Sequence, residues 1–225
     1  MHELITAVVD DASFFEIGEK WGRSIITGLA HLDGIPIALF AENPAIYGGV
    51  WTADACRKLI RLLDLASTFH LPIVHLEDCP GFLIGKKSGQ EATIRFGSSA
   101  LGQSNVPFCC VIVRKAFGVA GGANHKPGAH HIRVAWPSGD WGSLPVEGGV
   151  EAAYKSQLEE SDDPATLLQE ITERLNQVRS PFRTAEAFLV EEIIDPRETR
   201  PLLCEFANLA EPLRAVGPSR VMYRP

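Results

Sequence analysis

An α/β fold is what this 225-residue chain predicts. Three short apolar runs rich in β-branched residues, at 71–76 (LPIVHL), 106–113 (VPFCCVIV) and 132–136 (IRVAW), read as buried strands. Between them lie stretches with helical spacing. The clearest is 52–70, where Ala55, Leu59, Leu62, Leu63, Ala66 and Phe69 fall on one helical face. Strand, loop and helix thus alternate three times. That is the pattern of parallel strands joined by crossovers, with loops gathered at the strands' C-terminal ends.

Taken in order, residues 3–10 (ELITAVVD) read as a helix and 13–18 as extended chain. The runs 24–32 and 35–41 are joined by Asp33-Gly34, a hairpin signal. A loop over 42–50 leads to the helix over 52–70, which Thr52 or Asp54 caps. After the strand 71–76, a loop fills 77–85, and 91–102 reads as a helix. Arg114 and Lys115 end the central strand, and Pro137 closes the third. Residues 143–145 are extended, 147–158 start a helix, and Pro164 is placed to begin another over 165–178. The spans 181–189 and 196–209 read as helical, and 217–225 as a disordered or arm-like tail. No internal repeat is visible.

Composition narrows the function classes. A net charge of −7 argues against nucleic acid as a partner. No segment approaches the ~18 consecutive apolar residues of a membrane span. Met1-His2-Glu3-Leu4 has no basic region before an apolar core, so no signal peptide is expected. Five cysteines without a CxxC read as reduced thiols in a cytoplasmic protein.

The candidate site follows the central strand. Gly118, Gly121 and Gly122 are interleaved with Val119, Ala120 and Ala123. A buried strand feeding a small-residue loop that opens a helix lets backbone N–H groups approach a ligand oxygen, with the helix dipole adding positive charge. Such a turn suits an enolate oxyanion or a phosphate oxygen, and equally a tight turn with no ligand. It carries neither GxGxxG nor GxxxxGK[ST]. Topology sets the loop 78–85 beside it, so both loops can face one cleft.

Other residues are read more plainly. The spacing of His125, His130 and His131 matches no zinc template, so they are loop histidines beside Asn124, and no metal is expected in this chain. Cys79, before Pro80-Gly81, could be a nucleophile or a spacer, and Cys109-Cys110 is core packing. Glu77 and Asp78 could form a carboxylate pair, but Asp78 more simply braces its loop. Lys86 and Lys87 suit either a phosphate or solvent. Arg197, Glu198 and Arg200 read as an ion-pair set at a helix start. Phe14, Phe15, Trp51 and Trp141 suit either the core or a subunit surface.

Several stretches together resemble one family. They are Leu32-Asp33-Gly34-Ile35-Pro36 with Glu42-Asn43-Pro44, Asp78-Cys79-Pro80-Gly81-Phe82-Leu83-Ile84-Gly85, Arg114-Lys115-Ala116-Phe117-Gly118, Ala135-Trp136-Pro137, Glu147-Gly148-Gly149-Val150, and Ile194-Asp195-Pro196-Arg197-Glu198-Thr199-Arg200. In this order they resemble the C-terminal half of a carboxyltransferase β-subunit from a biotin-dependent acyl-CoA carboxylase of the propionyl-CoA carboxylase type. The resemblance implies a crotonase-like (ClpP/crotonase) fold of repeated ββα units over residues 1–214, with 215–225 as a tail. It implies an enzyme component that moves a carboxylate from carboxybiotin to the α-carbon of an acyl-CoA. Biotin is then the cofactor, carried on a partner protein or domain, and acyl-CoA the substrate.

In that reading the backbone N–H groups of Gly118, Val119 and Ala120 are the oxyanion donors. Pro80, Gly81, Phe82, Gly85, Gly121 and Gly122 line the biotin or substrate site. The biotin nitrogen takes the α-proton, so no side-chain base is required. The implied partners are a carboxyltransferase N-terminal domain or subunit, which supplies most of the CoA site, a biotin carboxylase and biotin carrier component, and further copies in a homo-oligomer. Without the N-domain the chain is expected to be inactive. Two alternatives are half of a biotin-dependent carboxy-acyl-CoA decarboxylase and a non-catalytic assembly domain. The chain departs from the family pattern where Val119 replaces a second glycine and Gly121 an aromatic residue. Lys86-Lys87-Ser88-Gly89-Gln90 replaces a Glu/His-rich segment. Gly122, near the position resembling the family's acyl-length determinant, leaves room for a larger acyl group.

Overall fold

A computed structural model describes residues 1–101, 106–122, 130–214 and 217. The chain opens with α1 (His2–Val8) and the short β1 (Phe15–Glu16), then the hairpin of β2 (Ile25–Leu32) and β3 (Ile35–Glu42). Asp33 and Gly34 both take positive φ, 52° and 78°, as a two-residue turn between right-twisted strands requires. The Asp10 carboxylate accepts from the amides of Asp33 at 3.0 Å and Gly34 at 2.8 Å.

After a 3₁₀ turn at Tyr47–Gly49 comes α2 (Ala53–Phe69), which Thr52 caps by accepting from Ala55 N at 3.1 Å. Its apolar stripe is buried on the sheet, each large side chain there contributing about 1.5–3 kcal/mol. His70 in the left-handed region ends it. β4 (Ile73–Cys79), α3 (Lys86–Gln90), α4 (Thr93–Leu101) and β5 (Phe108–Phe117) follow, then α5 (Gly118–Gly122), β6 (His131–Ala135) and β7 (Asp140–Gly142). The last part holds α6 (Val146–Ala153), α7 (Lys155–Glu160), α8 (Pro164–Asn176), α9 (Pro181–Glu186), β8 (Glu192–Ile193) and α10 (Thr199–Ala210).

The strands form one sheet in the order β1-β2-β3-β4-β5-β6-β8, with β7 pairing the far end of β5. Pairing is antiparallel from β1 to β3 and parallel from β3 onward. One face packs on α2 through Phe40, Leu59, Ile73, Phe108 and Ile112. The other packs on α1 and α10 through Ile5, Leu39, Val74, Val111 and Phe206. Cys109 and Cys110 therefore belong to opposite cores.

Several expected boundaries move. β4 runs through Glu77 and Asp78 to Cys79, because both carboxylates find partners on β5, Cys110 and Arg114. β5 does not stop at Arg114 but continues to Phe117, whose end segment pairs with β7. Between Glu77 and Cys79 the β4–β5 register shifts, and there Asp78 accepts from Lys115 N at 3.2 Å. The helix expected over 91–102 is α4, beginning at Thr93, and a further short helix, α3, precedes it, the two separated where Ala92 takes φ 58°. The helix over 147–158 divides at Tyr154. Extended chain lies at Asp140–Gly142 rather than 143–145. Residues 218–225 of the expected tail lie outside the described residues.

Candidate functional site

The C-terminal ends of β4 and β5 lie side by side, so the loops that leave them meet. Gly81 has φ 115°, and a methyl group there would stand 3.6 Å from the carbonyl oxygen of Phe117. Pro80-Gly81 is thus laid against the turn into α5. Trp51 and Leu83 tie this loop to the start of α2: Trp51 N donates to Gly81 O at 3.0 Å, and Leu83 N to Trp51 O at 2.9 Å. Asp78 braces it from below, accepting a bidentate pair from Arg114 at 3.1 and 2.8 Å.

α5 begins at Gly118, whose φ of +62° makes the turn out of β5. N–H groups of a helix's first turn have no partner within the helix. Val119 holds its side chain outward, 68% exposed, so valine in place of glycine leaves the inner face of the turn unobstructed. Gly121 is a packing requirement: a methyl group there would come within 2.4 Å of the Ala116 carbonyl carbon. The small residue lets α5 fold flat on β5. Gly122 next to it faces open space.

Beside this turn is a cavity of roughly 470 Å³ whose walls include Gly118, Gly122, Ile112, Trp141 and Phe188, with Arg133 as its charged member. Trp141 Nε1 donates to Thr184 Oγ1, which fixes the indole as one wall. Of the expected site residues, Gly118 and Gly122 line the cavity, and Gly81 adjoins it across Phe117. Phe82 turns inward instead, its ring edge-on to Trp51 at 5.6 Å. Gly85 stands apart on the exposed cap of α3. Trp51, fully buried, is core. Cys79 is buried and its thiol is pushed well up by burial, with the Glu42 and Glu77 carboxylates adding to it, which suits a spacer. Lys86 and Lys87 are exposed. Arg200 is structural, joining Asp10 at 2.7 Å and Val8 O at 2.9 Å. Asn124 and His125 lie outside the described residues, and His130 stacks on Phe206.

Beneath both loops runs a buried polar chain that the sequence reading passed over. Glu42 Oε2 accepts from Asp78 N at 2.9 Å, and Oε1 from Trp51 Nε1 at 2.9 Å. His75 Nε2 lies 3.0 Å from both Glu42 oxygens. On the other side of the imidazole, Nδ1 is 3.6 Å from Cys110 Sγ, which donates to Glu77 Oε2 at 3.0 Å. Arg133 lies 3.6 Å from the same oxygen and donates to Gly121 O at 3.0 Å. Burial works to raise Glu42, but the His75, Asp78 and Trp51 donors outweigh it and hold its carboxyl below the usual range. Burial raises Glu77, with His75 and Arg133 opposing. The available signal was His-x-Glu alternation inside an otherwise apolar strand.

Residues 1–218 match the family described as the carboxyl transferase domain. The carboxyltransferase subunit of propionyl-CoA carboxylase from Haloferax mediterranei is 28% identical over 98% of this chain and 44% of its own length. The propionyl-CoA carboxylase beta chain of Roseobacter denitrificans is 32% identical over 93% of this chain and 41% of its own length. The methylmalonyl-CoA decarboxylase subunit alpha of Propionigenium modestum is 28% identical over 98% and 44%. Among solved structures, the transcarboxylase 12S hexamer with methylmalonyl-coenzyme A bound superposes with a TM-score of 0.82 at 25% identity, over 99% of this chain and 44% of that one. The architecture is the crotonase-like α/β fold. The chain spans under half the length of these relatives. It belongs to the carboxyl transferase domain family.

Proposed function

We propose that this carboxyl transferase domain is the biotin-facing half of an enzyme that moves a carboxylate from carboxybiotin to the α-carbon of an acyl-CoA. The observation that carries the reading is the meeting of the Pro80-Gly81 loop and the Gly118 turn beside one cavity. That cavity has apolar walls, open space at Gly122 and volume for a small fused-ring heterocycle, so its residues fit biotin. Biotin, when bound, carries the transferable carboxyl group on its ureido nitrogen. The chain's own part is to fix the ring and to aim amides at the oxygen that gains charge. Gly118, Val119 and Ala120 open α5 and supply those amides. The flat wall of Trp141 and the buried apolar side chains of Ile112 and Val190 strengthen them.

The finer assignments belong to the same reading. An N-terminal carboxyltransferase domain or subunit supplies most of the CoA site, and this half alone is inactive. A biotin carboxylase and carrier component delivers carboxybiotin, and the whole works as a homo-oligomer in the cytoplasm. All five cysteines are free, in keeping with that compartment. Among the described residues no helix is long and apolar enough to cross a membrane. Gly122 leaves room for an acyl group larger than acetyl. A decarboxylase direction is the second reading, favoured by the likeness to the methylmalonyl-CoA decarboxylase subunit.

Calorimetric titration of biotin into the chain together with an N-domain partner tests the site. Gly118→Leu, which forces a bulky residue to φ +62°, should abolish binding. With an acyl-CoA present it should lower transfer by at least the roughly 10²–10³-fold of a lost oxyanion donor. Normal binding and transfer in that variant would overturn the site. Product analysis with and without ATP-driven biotin carboxylation decides the direction.

A further inference from the structure

His75, Glu77 and Cys110 form a compact three-donor cluster in the core. His75 and Glu77 are two residues apart on β4 and share a face, and His75 is paired in register with Cys110 on β5. The ligand atoms all lie within 4.8 Å of one another, and all three residues are buried. We propose that this cluster is a binding site for a thiophilic divalent cation of the zinc type, held by His75 Nδ1, Cys110 Sγ and a Glu77 carboxylate oxygen.

Donor type and spacing carry the argument. Metal–sulfur and metal–nitrogen bonds of about 2.3 and 2.0–2.1 Å at a tetrahedral angle put the sulfur and nitrogen about 3.5 Å apart. Cys110 Sγ and His75 Nδ1 are 3.6 Å apart. Sγ and Glu77 Oε2, now in a hydrogen bond at 3.0 Å, need to open by roughly half an ångström to reach the same edge. A small rotation of the Glu77 side chain does that. Three protein donors leave a fourth position for water.

The surroundings resemble the outer shell of a metal site. Glu42 accepts a hydrogen bond from the Nε2–H of His75, which leaves Nδ1 as the lone pair facing the sulfur. A carboxylate behind a ligating imidazole fixes the ring and its tautomer in this way. Phe40 stacks on the imidazole at 4.0 Å and Phe108 closes its edge at 6.4 Å, which shields the ring from bulk solvent. Charge also closes. A dication, the thiolate, the two glutamates and the Arg133 guanidinium sum to zero. Binding releases the Cys110 thiol proton to solvent, and no other bond is broken. The cluster departs from the absence of metal expected from the histidines at 125, 130 and 131, none of which takes part.

The test is to produce the full chain in cobalt-supplemented medium, then measure metal content and the visible and near-ultraviolet spectrum. The proposal expects about one cobalt per chain with a sulfur-to-cobalt charge-transfer band. Cys110→Ser should lose the band and the metal, while Cys204→Ser, at the partly exposed cysteine, keeps both. Because Cys110→Ser disturbs the core, Glu42→Gln serves as a second variant. It keeps all three ligands and should weaken cobalt binding about 10–100-fold in chelator competition. Folded wild type without cobalt, cobalt without the sulfur band, or a band that survives Cys110→Ser would overturn the proposal. So would unchanged affinity in Glu42→Gln.

Discussion

Gly121 and Gly122 are neighbours in α5, yet alanine at each should have opposite consequences. A methyl group on Gly121 would meet the carbonyl carbon, Cα and carbonyl oxygen of Ala116 at 2.4, 2.8 and 3.2 Å. These are backbone atoms of a central strand, so relief requires α5 itself to lift. Overpacking of this kind costs about 1–3 kcal/mol. Alanine's better helix propensity returns at most about 1 kcal/mol. With contacts as short as 2.4 Å the overpacking falls in the upper part of that range, so Gly121→Ala should be destabilised by about 1–2 kcal/mol. At a urea m-value of about 3 kcal/mol/M, the midpoint falls by roughly 0.3–0.7 M. Gly122→Ala places its methyl in open space at an exposed position, so its midpoint should stay or rise slightly. Parallel urea titrations of the two variants and wild type measure this. A Gly121→Ala midpoint equal to that of Gly122→Ala would refute the packing of α5 on β5. Since lifting α5 also moves the Gly118 turn, biotin affinity should fall in Gly121→Ala.

Three further outcomes can be measured. Asp10 is held below its ordinary value by the Gly34 amide and by Arg200, so its contribution is present above the unfolded value of about 3.9 and is lost as pH falls through the lower folded value. Asp10→Asn should thus be less stable at neutral pH, and the gap to wild type should close in acid titrations below about pH 4. Asp78→Asn weakens the bidentate contact from Arg114, which is half exposed, so the loss should be about 1 kcal/mol in chemical unfolding, accompanied by faster amide exchange in the Pro80-Gly81 loop. Brief alkylation of the native chain at pH 8 should label Cys204 alone by mass spectrometry, because burial pushes Cys56 up to about 12 and raises the other buried thiols further.

Much of the fold could be read because its local signals and its tertiary packing agree. Asp33-Gly34 sits between two apolar runs, and only a two-residue turn satisfies both. Thr52 caps α2 as its position predicts. The misread ends of β4 and β5 share one cause. Glu77, Asp78, Arg114 and Lys115 look like the charged ends of strands, and sequence alone does not show a buried charge its partner. Glu77 meets Cys110 and Arg133 from strands 33 and 56 residues further along, and Asp78 meets Arg114. Those pairings exist only once the parallel register is set. The glycine loop was legible as a candidate site from its small residues. Its cavity was not, because Trp141, Thr184 and Phe188 come from segments with no local signature.

The buried polar chain is costly in isolation, since taking charged groups out of water consumes most of what their pairing returns. Its placement is what gives it a purpose. At one end Glu42 accepts from the backbone N–H of Asp78, at the foot of the Pro80-Gly81 loop. At the other, Arg133 donates to the backbone carbonyl of Gly121, at the far end of α5. Apolar residues of similar volume could fill the same core, but they would leave both backbone groups without these partners in a region closed to water. The two loops that face the cavity would then be held only by their own short turns. Glycine-rich segments have little side-chain packing with which to hold a shape. A rigid polar strut through the core, joined at each end to a main-chain atom, supplies the fixed geometry that amides need when they are aimed at one oxygen.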